Sequence, residues 1–367
     1  MTTPLVSLII PVYNVAPYVR QCMQSAVSQT LRDIEIIVVD DCGTDDSMRI
    51  VNEFAARDNR VRILRHEKNL GLGAARNTAL RHARAPYIMF LDSDDWYAPD
   101  MCEKMYNAIT ENKTDCAACD MTLVDDKTGR TKPGRANAGY NVGVKKIDFQ
   151  IGEIISVVVW NKIWSKKILD DWRILFPEGV RHEDDIFSRK YYLCAKTISF
   201  VDESLYNYRV RPGSIMTSLR LSSEPALDIL IGAGDLWNFI CRNNFGDDAR
   251  RFFWRWYNGL TDAAVARSHG RAAKIACGKY AGDFVRKNYT PGFLSPYEAH
   301  GLISVLNGRY TRNVFGVLNI VHNHNRDEVL ILNVLSLYKA KYGRDGVKYY
   351  LFGLPVWRRA GLSATES

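Results

Sequence analysis

The chain has 367 residues, of which 47% are hydrophobic and 25% are charged, and its formal net charge is +8. Such a composition is ordinary for a soluble globular protein, and the positive charge favours an anionic partner. No block of basic residues and no nucleic-acid-binding motif is present, so we expect no nucleic-acid partner.

The chain begins without the charged and apolar leader of a signal peptide, and no apolar run reaches the length of a bilayer. The eight cysteines are scattered, apart from Cys116 and Cys119. A single C-x-x-C pair is a weak signal for zinc, so two core thiols are the favoured interpretation. We therefore expect a reduced, cytoplasmic protein.

The first part of the chain alternates short apolar runs with segments of helical spacing. The runs at 5–10, 34–39 and 61–64 are typical of buried strands, and helical segments follow each of them. This order predicts a parallel α/β sheet with right-handed crossovers.

The next apolar run, 87–91, ends abruptly in Asp92, Ser93, Asp94 and Asp95. In parallel sheets, ligands bind beyond the carboxyl ends of the strands. Carboxylates one residue apart can share a hard cation and bridge it to phosphates. The run therefore predicts a metal–diphosphate site, and a solvated polar turn is the alternative.

A glycine loop, Asn69-Leu-Gly-Leu-Gly-Ala-Ala-Arg76, precedes the third helix. A dinucleotide fingerprint needs three glycines after the first strand, which argues against NAD or FAD here. A loop of this kind at a helix N-terminus still favours an anion, and Arg76 adds a fixed charge. A surface arginine at a simple helix start is the alternative.

Four segments of the chain together carry a family resemblance. They are Val6–Asn14, Val38–Asp41, Asn69–Asn77 and Phe90–Asp95. In this order and spacing the chain resembles the family 2 glycosyltransferases with the GT-A fold, and in particular the members that build bacterial surface polysaccharides. The resemblance implies a nucleotide-sugar donor, usually linked to UDP, a divalent cation (Mn²⁺ or Mg²⁺), and inversion at the anomeric carbon.

The resemblance also implies roles for individual residues on the donor side. Pro11 and Tyr13 would line the uracil pocket, and Asp41 would accept a hydrogen bond from the base. Asp92 would face the ribose or the metal, and Asp94 would ligate the metal. Arg76 would lie near the nucleotide and diphosphate, and Ser93 is a further donor-binding candidate.

Arg209 and Arg211 alternate along an extended segment, so we expect one of them, taken as Arg211, to point at the donor diphosphate. Two solvent-facing arginines are the alternative.

A second chemical centre is the acidic run at 183–185. Acids at a helix N-terminus are favoured by the helix dipole, so capping is one interpretation. The family resemblance implies instead that Asp184 is the general base and that Glu183 holds acceptor or neighbouring groups. Asp185 leaves open which carboxylate is catalytic, and His182 is a neighbour on the acceptor side.

The segment Trp160-Asn-Lys162 is expected beside the acceptor and donor sugars, again by resemblance. An aromatic ring suits the C–H face of a sugar, and core packing of Trp160 is an equal alternative.

The match extends to about residue 215, which predicts a catalytic domain at 1–218 and a mostly helical region at 219–367. Helical spacing is visible at 225–243, 247–267 and 271–288. The aromatic and basic stretch 349–359 is consistent with a peripheral membrane contact on the inner face of the cytoplasmic membrane or with a packed end. Acceptor binding and homo-oligomerisation are further interpretations of this region.

We therefore expect an inverting, metal-dependent glycosyltransferase that acts on a surface glycan or a lipid-linked oligosaccharide. A nucleotidyltransferase would need a triphosphate-binding loop rich in Gly and Lys near the N-terminus, and none is present. A non-catalytic nucleotide-sugar-binding or scaffold module is the remaining alternative.

Overall fold

A computed structural model describes residues 3–134, 143–148, 155–211, 224–267 and 271–289, together with six strands between residues 313 and 360. The chain divides into two compact units, residues 1–221 and 222–367. None of the described helices combines the length and the apolar character that crossing a bilayer requires.

The first unit is built on one mixed sheet with the strand order β3-β2-β1-β4-β9-β6-β10-β5. The first four strands run parallel and confirm the expected α/β alternation. They are β1 (Val6–Val12), β2 (Ile34–Asp40), β3 (Val61–Arg65) and β4 (Tyr87–Phe90). Every residue of β1 is buried, as expected for a strand covered on both faces.

The other half of the sheet mixes strand directions. β9 is antiparallel to both β4 and β6, whereas β10 is parallel to β6. The strands are β5 (Trp96–Tyr97), β6 (Cys116–Asp125), β7 (Thr131–Gly134), β8 (Gly143–Lys146), β9 (Lys162–Ser165) and β10 (Thr197–Val210). The helices of this unit are α1 (Ala16–Val27), α2 (Ser47–Ala55), α3 (Leu72–His82), α4 (Met101–Glu111), α5 (Lys166–Asp171) and α6 (Glu183–Cys194).

The second unit begins with the three helices expected from the sequence. They are α7 (Glu224–Arg242), α8 (Asp247–Arg267) and α9 (Arg271–Asn288). Aromatic rings pack between them: Trp254 lies 4.9 Å from Trp237, and Tyr257 lies 4.9 Å from Phe284, between ring centroids.

The expectation of a mostly helical region to residue 367 is wrong for the end of the chain, where six antiparallel strands form a second sheet. They are β11 (Asn313–Val314), β12 (Leu318–Asn323), β13 (Arg326–Ile331), β14 (Leu335–Gly343), β15 (Gly346–Leu351) and β16 (Leu354–Ala360). Polar and apolar residues alternate at 338–342 in β14 and at 347–349 in β15, a pattern that is typical of strands. The aromatic stretch 349–359 therefore lies mainly within β15 and β16.

Candidate active site

The turn after β4 presents two of its aspartates to solvent. Asp92 accepts a hydrogen bond from Arg76 Nη2 at 2.7 Å, and Asp94 accepts one from Arg211 Nη2 at 2.8 Å. The exposed fractions of the Asp92 and Asp94 side chains are 24% and 23%. These hydrogen bonds reach a single oxygen of each carboxylate. The burial of Asp94 and the nearby charge of Asp92 raise its pKa, and Arg211 opposes that rise.

Asp95, the third aspartate of the turn, is buried and has a different task. Its Oδ2 accepts from the Tyr206 hydroxyl and its Oδ1 from the backbone N–H of Arg209, both at 2.7 Å. Burial and the charges of Asp94 and Asp92 raise the pKa of Asp95 well above its ordinary value. Asp95 therefore connects the turn to β10 by hydrogen bonds. Arg211, directly after β10, lies beside Asp94 as a result.

Arg76 lies at the centre of the arrangement and joins the two acidic centres of the sequence. Its Nη1 donates to Glu183 Oε1 at 2.6 Å, and its Nη2 donates to Asp92 Oδ1 at 2.7 Å. Only 2% of its side chain is exposed, and its guanidinium carbon lies 5.3 Å from the centre of the Phe176 ring. Arg76 is thus a buried bridge between two carboxylates, and its expected place near the diphosphate stays a prediction.

Two residues that the sequence analysis gave no role bring the acidic centres together. Asn77 follows Arg76 on α3, and its side-chain amide forms a pair of 2.9 Å hydrogen bonds with the backbone of Phe176. Gly73 lies so close to the same segment that a Cβ placed there would be 2.5 Å from the Pro177 carbonyl oxygen. The signal was the Gly-x-x-Arg-Asn pattern at 73–77, whose glycine and asparagine mark a close approach of two backbones.

The three acids at the start of α6 separate into different roles. Glu183 is tied to Arg76, and Asp185 accepts from Arg189 Nε at 2.5 Å, one helical turn away. Burial and the neighbouring charge of Glu183 raise the pKa of Asp184 to about 7, and Arg76 opposes that rise. A carboxyl group with a pKa near neutrality suits a general base. Asp184 is therefore the best candidate for proton transfer among the three.

Asp41, expected to bind the base, is held in place by hydrogen bonds from a histidine and from a backbone loop. Asp41 is buried; its Oδ1 contacts His66 Nδ1 at 2.7 Å, and its two oxygens accept from the backbone N–H groups of Leu70 and Gly71, each at 2.9 Å. A carboxylate can only accept, so His66 Nδ1 is the donor. Gly71 has φ +88°, a left-handed value that the loop needs to aim these N–H groups at Asp41.

Two large apolar side chains of the expected base pocket are exposed to solvent. Tyr13 is 47% exposed and Leu70 is 42% exposed, whereas Pro11 is buried within β1, opposite Val39 of β2. Tyr13 and Leu70 are thus available to the flat faces of a nucleobase, and Pro11 contributes to the strand below.

The three residues expected at the acceptor lie in the interior. Trp160 stacks on Tyr206 with 4.1 Å between ring centroids. Asn161 donates to the Cys119 carbonyl at 2.6 Å, and Lys162 Nζ donates to Asn161 Oδ1 and to the Val158 carbonyl, both at 2.7 Å. Burial lowers the pKa of Lys162 to about 7. Asn161 and Lys162 are hydrogen-bonded in the interior, and Trp160 is packed in the core. Their contact with a sugar stays a prediction.

His182 and Ser93, the two remaining candidates, lie next to residues of the two acidic segments. His182 is partly exposed and adopts a left-handed conformation (φ 63°) directly before α6, where it turns the chain into the helix that carries Glu183. Ser93 is 7% exposed and lies between Asp92 and Asp94 in the turn. Both stay predictions as ligand contacts.

The donor set at the turn fits a hard divalent cation. No group of three or more His, Cys, Asp and Glu side chains in the described parts of the chain is arranged to hold a metal. Asp92 and Asp94 each keep an oxygen that these arginine contacts do not reach. Mg²⁺ and similar cations are commonly bound by one or two carboxylates together with substrate phosphates and water. The pair therefore suits a cation that arrives with a nucleotide.

Comparisons with known proteins identify related glycosyltransferases. The sequence signature of glycosyl transferase family 2 matches residues 7–172. EpsH of Bacillus subtilis is 36% identical over 221 residues, which are 59% of this chain and 64% of EpsH. Glycosyltransferase GlyG of Streptococcus pneumoniae is 31% identical over 221 residues, 58% of this chain and 73% of GlyG. The chain thus spans slightly less than two thirds of EpsH.

Among solved structures, S. aureus TarS 1-349 in complex with UDP-GlcNAc has a similar fold. The TM-score is 0.70 at 22% sequence identity, and the match covers 89% of this chain and 97% of that one. The α/β fold of GT-A type that the sequence resemblance implied is confirmed.

Proposed function

The chain belongs to glycosyl transferase family 2, and we propose that it is an inverting, metal-dependent glycosyltransferase. It would transfer a sugar from a nucleotide donor, UDP-linked in our proposal, to a hydroxyl group of a surface glycan or a lipid-linked oligosaccharide. The observation that carries the proposal is the Arg76 bridge, because it joins the aspartate turn to the helix start that bears Asp184.

The donor end of the proposal rests on Asp41 and on the residues around it. Asp41 Oδ2 accepts a single described hydrogen bond, from Gly71, so it retains capacity for an imide N–H of a base such as uracil. The exposed ring of Tyr13 would cover the base. The structural similarity to a protein crystallised with UDP-GlcNAc supports the choice of nucleotide.

Asp94 and Asp92 would hold the divalent cation. When bound, Mn²⁺ or Mg²⁺ supplies Lewis-acid neutralisation of the leaving diphosphate. Arg211 donates to Asp94 Oδ2 and is a cationic side chain that could also contact the diphosphate.

The chemical step would be a single displacement. The Asp184 carboxylate accepts the proton of the acceptor hydroxyl while that oxygen attacks the anomeric carbon. The bond from the anomeric carbon to the diphosphate oxygen breaks on the opposite side, and the nucleotide diphosphate leaves. The pKa of about 7 lets Asp184 accept a proton near neutral pH. Glu183, held by Arg76, would position this carboxylate and the neighbouring acceptor groups.

A thermal-shift screen of nucleotide sugars with Mn²⁺, followed by an assay of released nucleotide, tests the proposal. A ligand at a hundred times its Kd stabilises a protein by about 2.7 kcal/mol, which a melting curve resolves. We expect stabilisation by a UDP-sugar in the wild type and in Asp184→Asn, and loss of it in Asp94→Asn. Stabilisation without any turnover on glycan acceptors would favour the non-catalytic binding module, and no stabilisation by any nucleotide sugar would contradict the proposal.

A further inference from the structure

His66, to which the proposed function gives no role, lies between Asp41 and helix α3. Asp41 directly follows β2 and His66 directly follows β3, so both lie at the carboxyl ends of parallel neighbouring strands. The backbone N–H of His66 donates to the Asp40 carbonyl at 2.9 Å, which continues the pairing of the two strands by one residue. The strand pairing therefore brings the imidazole ring beside the Asp41 carboxylate.

Both ring nitrogens of His66 have a partner. Nδ1 donates to Asp41 Oδ1 at 2.7 Å, and Nε2 lies 2.9 Å from the Thr78 hydroxyl oxygen on α3. A hydroxyl group can donate or accept, so this second contact is satisfied with or without a proton on Nε2. Only 6% of the His66 side chain and 4% of the Asp41 side chain are exposed. The ring is thus held at both ends, with its Nδ1–H directed at the carboxylate.

The donors around Asp41 are divided unequally between its two oxygens. Oδ1 receives the His66 Nδ1–H and the backbone N–H of Leu70, whereas Oδ2 receives the backbone N–H of Gly71. Leu70 and Gly71 belong to a loop, and His66 supplies the side-chain donor from a neighbouring strand end. Because all three groups donate, the carboxylate is fixed as an acceptor, and Oδ2 is the oxygen with more room for a ligand.

We infer that His66 is a positioning residue that makes the Asp41 site selective for a base with an imide N–H, as in uracil. Uracil presents N3–H to an acceptor, whereas cytosine presents a lone pair at N3, and two acceptors facing each other repel. A buried polar group that is left unpaired makes a site reject the wrong ligand strongly. His66 acts through Asp41, whose orientation decides whether Oδ2 meets the N–H. The inference rests on the proposed function, which brings a nucleotide to Asp41.

Two amide substitutions at position 66 separate the two contacts of the ring. His66→Asn keeps an N–H donor at the place of Nδ1 and gives up the contact to Thr78. His66→Gln reaches the place of Nε2 and gives up the donor to Asp41. Both variants replace the imidazole by an amide, so a difference between them identifies the ring nitrogen that controls base selection.

The test is titration calorimetry of the full chain with UDP and with CDP, each in the presence of Mn²⁺. We expect the wild type and His66→Asn to prefer UDP. His66→Gln should bind UDP about 10- to 100-fold more weakly and CDP with little change, since a hydrogen bond to a charged group contributes about that factor. Its KM for the UDP-sugar should rise while kcat is retained, a split that general destabilisation would not produce.

The matched control is His82→Gln, the same substitution on α3. His82 is exposed, and its Nδ1 contacts the Thr78 carbonyl oxygen at 2.8 Å. We expect both affinities to stay at the wild-type values. If His66→Gln kept the UDP preference of the wild type, the inference would be overturned. Loss of the preference in His66→Asn alone would assign base selection to the Thr78 contact and overturn it as well.

Nitrogen-15 NMR of the wild type decides the question even if neither variant folds. The His66 Nδ1 must carry a proton, and its resonance must move when UDP is added and stay in place with CDP. An Nδ1 without a proton, or a resonance that bound UDP does not move, would overturn the inference.

The same measurements separate this inference from the proposed function. A wild type that binds neither UDP nor a UDP-sugar would refute the proposed function and the inference with it. UDP binding that is weakened in His66→Gln, without turnover on any glycan acceptor, would refute the proposed transfer reaction and leave the role of His66 established.

Discussion

Arg76 and Glu183 are 107 residues apart in sequence and form a buried ion pair of 2.6 Å. The other arm of the same guanidinium holds Asp92. Arg76 thus links the turn that carries Asp92 to the start of α6, which connects the candidate donor site to the candidate base.

Arg76→Met should therefore destabilise the fold, in addition to any loss of donor binding. It would leave Glu183 and Asp92 without their shared cation, and breaking such a buried pair typically costs about 3–5 kcal/mol. We expect the midpoint of urea unfolding to fall and turnover to fall with it. The matched control is Arg81→Met on the same helix, since the Arg81 side chain is 52% exposed and its ion pair is 3.6 Å long. If Arg76→Met kept the stability of the wild type and only raised the KM for the donor, the expected contact of Arg76 with the diphosphate would be favoured over a structural role.

The pH dependence of Asp184 separates its catalytic and its structural effects. A base with a pKa of about 7 must be deprotonated to act, so kcat/KM should fall as the pH falls through about 7. Asp184→Asn should lower turnover by about 10²–10⁴-fold. The control Asp185→Asn removes the contact to Arg189 and should keep the fall in kcat/KM at low pH. We expect that fall to move to lower pH, because the charge of Asp185 also raises the pKa of Asp184. If kcat/KM of Asp184→Asn fell with pH as it does in the wild type, another residue would be the base.

The same raised pKa makes a prediction about stability. Between about pH 4 and 7 the folded Asp184 binds a proton that the unfolded chain has lost, so the stability contributed by this group declines as the pH rises. Asp184→Asn should thus raise the melting temperature at about pH 8 and change it little at about pH 5. Equal shifts at both pH values would mean that Asp184 titrates normally.

Much of this arrangement follows from sequence, and the rest depends on long-range contacts. The strand and helix order of the first unit, the turn with Asp92 and Asp94 at the end of β4, and the helix start with its acidic run at 183–185 were predicted from local patterns and from the family resemblance. The burial of Arg76, Asn161 and Lys162 could not be predicted, because each is polar by type and buried only through partners on other strands or helices. The second sheet was missed because its register, unlike a helical period, links residues of separate strands.

Gly73→Ala tests the close approach of α3 to the segment before α6. Its Cβ would lie 2.5 Å from the Pro177 carbonyl oxygen, which is backbone and cannot move aside cheaply. Such overpacking costs about 1–3 kcal/mol, and the displacement of α6 should lower turnover as well. Gly259→Ala in α8 is the control, since nothing lies within 4 Å of a Cβ there; we expect a gain of about 0.4–1 kcal/mol. Unchanged stability and turnover in Gly73→Ala would show that this contact does not position Asp184.

Arg211 and a divalent cation should compete for Asp94. The Arg211 side chain donates to Asp94 Oδ2 through Nε at 3.0 Å and Nη2 at 2.8 Å. Removing it in Arg211→Ala should raise the affinity for Mn²⁺ alone, measured by titration calorimetry, and weaken binding of the UDP-sugar. Asp94→Asn should abolish the Mn²⁺ signal. Weaker Mn²⁺ binding by Arg211→Ala would show that the arginine supports the cation rather than replacing it.

The most direct test of the central claim is a crystal structure of Asp184→Asn with a UDP-sugar and Mn²⁺. We predict the diphosphate against Asp94 and the anomeric carbon turned so that the side chain of residue 184 reaches the acceptor face of the sugar, directly or through one water. A donor sugar directed away from the start of α6, or a nucleotide bound at another part of the sheet, would contradict the account.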